Sequence, residues 1–354
     1  MKSIELNKLT EDDILALDIS TNDGCVILTK GTVLKKYYIN KLCDFGIKQV
    51  FVENTLTPEF TSLNYTDLTV ARETTLKNYC AIFHEVSNEN RINLERLNES
   101  TTSIITSVLS EIEESTLNIL YTANRFFCHF THSLNTASLA VFLGIKLNLN
   151  DEQLKELATS ALIHDIGMYK LPKEILEKNL ELTDADIKII KNHTIYGYEL
   201  LKPIKDISEG CKKAILHHHE RYDGRGYPSR IIGKSIPLYS RIIAVADIFC
   251  SLTTKVRNHN GYSFEDSYEY ILAGSGLYFD PDVVEVFQKY FVIYPTKTKV
   301  RLSNGLVGFV LSQNLGFPDR PNIKVTQDSN GIHRFPITLD LIKKTNLKIE
   351  EVLT

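Results

Sequence analysis

Apolar positions recur every three or four residues across most of the chain from 59 to 294, and every second residue near its C-terminal end. The sequence therefore predicts a mainly α protein with a small α/β unit before the helices and a small β unit after them. In residues 1–55, Asp23-Gly24 and Lys30-Gly31 are turn signals around the apolar run Cys25 to Leu28. Tyr38, Ile39 and Leu42 have helical spacing, Phe45-Gly46 ends that helix, and Ile47 to Val52 reads as a strand. Residues 56–120 hold no glycine and no proline beyond Pro58; Ile82, Phe83 and Val86, then Ile104, Ile105, Val108, Leu109 and Ile112, mark helical faces. Asn88 to Asn98 is expected to be a solvated face or a loop. Such connecting helices suit either a homodimer seam or signal-carrying stalk, or packing on the following bundle, and the pattern does not choose between them.

Residues 121–294 read as helices with short polar breaks. Ala137 to Ile145 is a buried helix, Asn150-Asp151 opens the next, and the run Leu154 to Ile163 delivers His164 and Asp165 at its end. Thr183 is a candidate N-cap with Asp186 three residues on, beginning a helix that runs towards His193. Ile242 to Ala246 is an apolar helical segment expected to end at Asp247. After Tyr294-Pro295 the period changes to two: Val300 and Leu302, the hairpin turn Asn304-Gly305, then Val307, Phe309 and Leu311, with a second turn at Asn330-Gly331. Residues 296–345 are expected to form a small β-barrel or curled sheet, within a last unit spanning 295–354.

Composition narrows the partners. The 354 residues are 43% hydrophobic and 24% charged, ordinary for a globular protein of two or three domains. A net charge of −4 gives no support for DNA as a partner. No apolar run approaches a membrane span, no secretory signal is expected, and the six cysteines are spread singly, so the expected location is a reducing cytoplasm.

Histidine changes the picture most. Eight of the ten histidines fall between His129 and His259, and four of these lie in two runs with acids: His164-Asp165 and His217-His218-His219-Glu220. Imidazole and carboxylate are joint donors for divalent metals, so the cluster points to a metal site with more than one ion. A carboxylate, with two oxygens, can bridge two such ions. Periodicity alone does not say which two of His217, His218 and His219 bind.

The sequence His164-Asp165, followed by His218-His219-Glu220, Asp223-Gly224 and Gly226-Tyr227-Pro228, resembles the HD-GYP family of the HD hydrolase superfamily, over roughly residues 125–290. The resemblance implies a helical HD-type catalytic bundle at 121–294 and a metal-dependent cyclic di-GMP phosphodiesterase that opens the ring to linear pGpG, with a further step to GMP left open. It assigns His132, His164, Asp165 and Asp247 to one ion, with Asp165 as bridge, and His193, His218 and His219 to the other. Iron or manganese is the metal expected from the family; zinc and nickel suit the same donors. Glu220 and Asp223 are read as orienting the ligands or shaping the loop, Gly224 and Gly226 as allowing tight turns, Pro228 as stiffening the exit, and Tyr227 as facing substrate. His84, His129 and His259 receive no role.

The chain also departs from the family. The lysine that usually follows His-Asp-x-Gly is Met168. The basic Arg-Pro-Tyr stretch after Asp247 is replaced by Thr254-Lys255-Val256-Arg257-Asn258, leaving Lys255 and Arg257 as the candidate phosphate-binding residues. Cys128 stands where a third-metal glutamate would be, so two ions are expected. The alternatives carried forward are an HD phosphohydrolase for another cyclic dinucleotide and a degenerate HD-GYP binding or signalling module.

Overall fold

In the computed structural model the described residues are 65–89, 91–112, 129–176, 182–254, 261–328 and 333–353, with shorter stretches between 2 and 52. The chain divides into two units, residues 1–63 (joined by Thr354) and 64–353.

In the first unit β1 (Lys2–Glu5) pairs antiparallel with β4 (Gln49–Val52), and β2 (Ile19–Ser20) with β3 (Val26–Leu28). Along β4 the residues alternate out and in, burying Val50 and Val52 and exposing Gln49 and Phe51, as the two-residue period of a strand requires. Val50 and Val52 close over Leu6, Leu15, Leu34 and Leu42. Ile39 and Leu42 are helical as expected; the rest of that helix lies outside the described residues.

Among its described residues the second unit is mainly helical up to residue 290. Helices α1 (Tyr65–Glu89) and α2 (Leu94–Ile112) place Tyr79, Ile82 and Val86, and Leu97, Ile104 and Val108, in the same core as α3 (His129–Lys146) and α4 (Asp151–Leu162). The connecting helices thus pack on the bundle. Leu97 corrects the polar reading of Asn88 to Asn98: residues 91–93 break the helix, Asn93 accepts from the Arg96 N–H, and Leu97 one turn later is buried. One apolar residue per turn is enough when it falls on the inner face.

Next come α5 (Lys173–Leu176), α6 (Asp184–Lys191), α7 (His193–Leu201) and α8 (Glu209–His217). The centre of the bundle is α9 (Leu238–Thr253), apolar around most of its circumference and buried accordingly. Its apolar segment does not end at Asp247; the helix runs one and a half turns further, with Asp247 buried in its interior among histidine partners. Around α9 lie α10 (Phe264–Ala273) and α11 (Pro281–Tyr290), where Phe249, Tyr268, Phe287 and Phe291 form an aromatic stack.

The C-terminal strands β5 (Lys299–Leu302), β6 (Val307–Ser312), β7 (Asn322–Gln327), β8 (His333–Asp340) and β9 (Ile349–Val352) form one antiparallel sheet in the order β8-β7-β6-β5-β9. Asn304-Gly305 makes the β5–β6 turn, with Gly305 at a φ of 82° that glycine adopts without strain. The sheet reaches beyond residue 345, because β9 pairs with β5, and among the described residues its outer strands β8 and β9 do not pair, so it is open rather than a barrel.

Candidate metal centre

Asn150 caps α4 with a reciprocal Gln153 contact, which fixes where that helix starts and so where it delivers His164 and Asp165. The two residues lie just past its end, in the turn before a 3₁₀ segment (Ile166–Lys170), and not on the helix itself. Gly167 packs directly on the start of α7: a Cβ there would lie 2.0 Å from the His193 carbonyl oxygen and 2.5 Å from the Gly197 nitrogen. Only glycine allows that approach, and the approach sets His193 beside Asp165.

His218 and His219 follow α8, and the loop after them is folded on itself. A Cβ on Gly226 would lie 2.3 Å from the Arg221 nitrogen, and Gly224 has a φ of 77°. The Ser229 N–H donates to Glu220 (2.6 Å), and Asp223 accepts from the Arg221 guanidinium and from the Arg225 N–H. The peptide between Tyr227 and Pro228 is cis. Glu220 and Asp223 therefore shape the loop. His217 turns away from the cluster, its Nδ1 3.7 Å from Glu220.

Five segments converge. Asp165 Oδ1 lies 3.3 Å from His193 Nε2 and 3.9 Å from His218 Nε2, while its Oδ2 lies 3.4 Å from His164 Nε2. Asp247 Oδ1 is 2.9 Å from His132 Nε2 and 3.9 Å from His164 Nε2; its Oδ2 is 3.9 Å from His219 Nδ1. The donors fall into two groups, His132–His164–Asp165 and Asp165–His193–His218–His219, within which the ligand atoms lie within 4.8 Å of one another, and Asp165 belongs to both.

Three histidines share one device that the sequence reading missed. His164, His193 and His218 each direct Nδ1 at the carbonyl three residues back, Ala161, Ile190 and Ile215, at 2.7 to 2.8 Å. A carbonyl only accepts, so each Nδ1 carries a proton and each Nε2 is the nitrogen turned to the centre, where it offers a lone pair whenever the imidazole is neutral. The signal was present in outline, since each of these histidines stands at or just past a helix or turn end, where carbonyls lack partners.

The same device tests whether the site fits metal. His193 Nε2 and His218 Nε2 stand 3.3 Å apart, both with lone pairs facing inward, and the buried His164 Nε2 has no hydrogen-bond partner. Two bare lone pairs at that distance repel, and a buried unpartnered nitrogen is costly. Divalent cations in the two donor groups would satisfy all three, so the residues fit the metals that the histidine–carboxylate pattern implies.

The electrostatics agree. Burial opposes charging His164, but Asp165 and then Asp247 overcome it and raise its pKa from the ordinary 6.5 to about 9. Burial would raise Asp165; the charge of His164, with His193 and His218, instead holds it well below the usual carboxylate range, and Asp247 is lowered by His132 and His164 against the same burial. Burial and neighbouring imidazoles push His218 well down, and burial takes His219 down to about 4 despite Asp247. The centre thus attracts one positive charge strongly at His164 while keeping His218 and His219 neutral and ready to coordinate.

Tyr227 stacks on His219, ring centroids 4.9 Å apart, and the Lys191 ammonium sits 5.1 Å from the Tyr227 centroid. Lys191 was not anticipated from sequence. Met168 is half-buried. Lys255, Arg257, His259 and Cys128 lie outside the described residues, as does the side chain of His129.

The HD domain family matches residues 107–283. Among similar proteins, a cyclic di-GMP phosphodiesterase of Pseudomonas aeruginosa is 33% identical over 196 residues, covering 55% of this chain and 47% of that protein. The cyclic di-GMP phosphodiesterase response regulator RpfG of Xanthomonas campestris is 37% identical over 149 residues, covering 42% of this chain and 39% of its own. A 3'3'-cGAMP-specific phosphodiesterase of Vibrio cholerae is 41% identical over 124 residues, 35% of this chain and 28% of that one. The chain spans less than half the length of each of these three relatives. In fold it is similar to an HDG"Y"P protein of Bdellovibrio bacteriovorus, with a TM-score of 0.53 at 16% identity over 80% of this chain and 97% of that one.

Proposed function

This chain belongs to the HD domain family, in its HD-GYP form, and from that premise we propose that it is a metal-dependent phosphodiesterase that hydrolyses cyclic di-GMP to pGpG, with the step onward to GMP open to the same product analysis. The observation that carries the reading is Asp165: its two oxygens face two separate donor groups, the arrangement a bridging carboxylate needs. His132, His164, Asp165 and Asp247 would hold one divalent ion, and Asp165, His193, His218 and His219 the other. Bound there, the ions would supply a water-derived nucleophile at neutral pH and neutralise the phosphate charge. Iron or manganese is the pair of metals we favour, with zinc and nickel compatible with the same donors.

The chain's own residues prepare that chemistry. The Nδ1 anchors of His164, His193 and His218 fix ring orientation and tautomer before any ligand arrives. Glu220, Asp223, Gly224, Gly226 and Pro228 hold the loop that presents His218, His219 and Tyr227, and the Tyr227 ring covers His219. Lys255 and Arg257 are the proposed partners of a substrate phosphate.

A second reading, a phosphodiesterase for another cyclic dinucleotide, is favoured by one observation: the 41%-identical relative is named for 3'3'-cGAMP. A degenerate binding module is the third, and the complete donor set speaks against it. We place the protein in the cytoplasm; among the described residues no helix is long and apolar enough to cross a membrane. A homodimer through the connecting helices would use their outer faces, where Leu109 is exposed, since their inner faces are taken up within the chain. We keep 1–55, 56–120, 121–294 and 295–354 as the functional divisions. Anaerobic purification with metal analysis, followed by product chromatography on cyclic di-GMP, cyclic GMP–AMP and cyclic di-AMP, tests the proposal. Linear pGpG formed faster than the other linear products supports it, and no hydrolysis of any of them refutes it.

A further inference from the structure

A cyclic dinucleotide carries two phosphodiesters, and the histidine–carboxylate cluster engages one of them. The other would keep its charge, and a cation at the rim of the site is the group that would hold it. The usual place for such a cation is taken by Met168, which has no charge. Among the described cations near the cluster, Arg221 is committed to Asp223 and lies over Tyr278, and the Lys170 ammonium rests over Tyr169.

Lys191 differs from both. It ends α6 two residues before His193, it is exposed, and among the described residues no carboxylate pairs with it. Its ammonium stands over the ring of Tyr227, which in turn stacks on His219, so contacts of 5.1 and 4.9 Å connect the charge to the metal-binding cluster. An exposed cation–π contact is weak, so it parks the flexible side chain at the mouth of the site without holding it there against a phosphate.

We infer that Lys191 binds the second, non-reacting phosphate of the cyclic dinucleotide, with Tyr227 orienting it. This rests on the proposed phosphodiesterase reading. Lys191 takes no part in bond breaking; it adds affinity for a substrate with two phosphates and none for a substrate with one.

The test compares wild type, Lys191→Ala, Lys191→Gln and Lys191→Arg, all manganese-loaded, on cyclic di-GMP and on bis(p-nitrophenyl) phosphate, which has a single phosphodiester. Removing a charge-assisted hydrogen bond should raise KM for cyclic di-GMP by about ten-fold or more in the Ala and Gln variants. Their kcat, metal content, melting temperature and rates on bis(p-nitrophenyl) phosphate should stay at wild-type values, and Arg should restore most of the affinity. An unchanged KM for cyclic di-GMP, or an equal loss on both substrates, overturns the inference. Wild type that hydrolyses no cyclic di-GMP refutes the proposed activity instead, and calorimetric binding of cyclic di-GMP then decides on Lys191 separately. Weaker binding by Lys191→Ala supports it, while equal affinity, or no binding even by wild type, overturns it.

Discussion

Met168 occupies a position where the chemistry asks for a cation, and its surroundings decide what a lysine would do there. The side chain is half-buried in the 3₁₀ segment that follows Asp165. A lysine of similar length can lay its methylenes along the same apolar surface and keep its ammonium in solvent near the phosphate. Met168→Lys should therefore raise kcat on a cyclic dinucleotide and leave the melting temperature unchanged; a fall in both would show that the thioether fills a closed gap. His164 makes a separate prediction. Without metal its pKa of about 9 keeps it protonated at neutral pH, and a cation can bind only by expelling that proton. Manganese affinity should rise with pH up to about 9 and level off beyond, with one proton released from His164 per centre filled. The metal-free fold should show the reverse dependence: the stability from charged His164 is complete below 6.5 and is lost as pH climbs through about 9. Manganese titrations in a calorimeter across this range, in buffers of different ionisation heat, measure both affinity and proton release. An affinity independent of pH would contradict the assignment of His164.

Helix α9 carries Asp247, and its first turn is tied to α11 by one ion pair whose carboxylate is buried and whose guanidinium is mostly so. Arg241 donates to Asp280, which also caps α11 by accepting the Asp282 N–H, and Arg241 reaches the Ile236 carbonyl as well. Asp280→Ala strands a buried guanidinium and removes the cap, a loss of about 3–5 kcal/mol that urea unfolding would register. A loss under about 1 kcal/mol would mean that solvent reaches Arg241. Much at this level was legible in the sequence because it is local. The Asn150 and Thr183 caps, the run into His164 and the Asn304-Gly305 turn all depend on residues a few positions apart. What was not legible depends on contacts distant in sequence. Asp247 lies inside its helix because its histidine partners compensate its burial, and those come from α3, the turn after α4 and the end of α8. Leu97 is buried because α2 turns that one face to the bundle, and β9 joins the sheet by pairing with β5. The site fared similarly: its donor types and order were readable, whereas the Nδ1 anchors and the place of Lys191 over Tyr227 needed the fold.

The unit spanning residues 64–353 brings five segments, spread in sequence from His132 to Asp247, to one centre, and Asp165 is the residue that makes two donor groups into one site. His217 stands next to His218 in sequence yet turns to Glu220, so it is position in the fold, and not residue type, that selects the donors. The HD domain match over residues 107–283 contains every proposed ligand, while the unit before it and the sheet after it contribute none. The central claim is that Asp165 bridges a pair of ions on which hydrolysis depends. The most direct measurement is the metal content of anaerobically purified wild type and Asp165→Ala, both confirmed as folded by circular dichroism. The account predicts two divalent ions per chain in wild type and loss of both in the variant. Two ions retained by folded Asp165→Ala would contradict it.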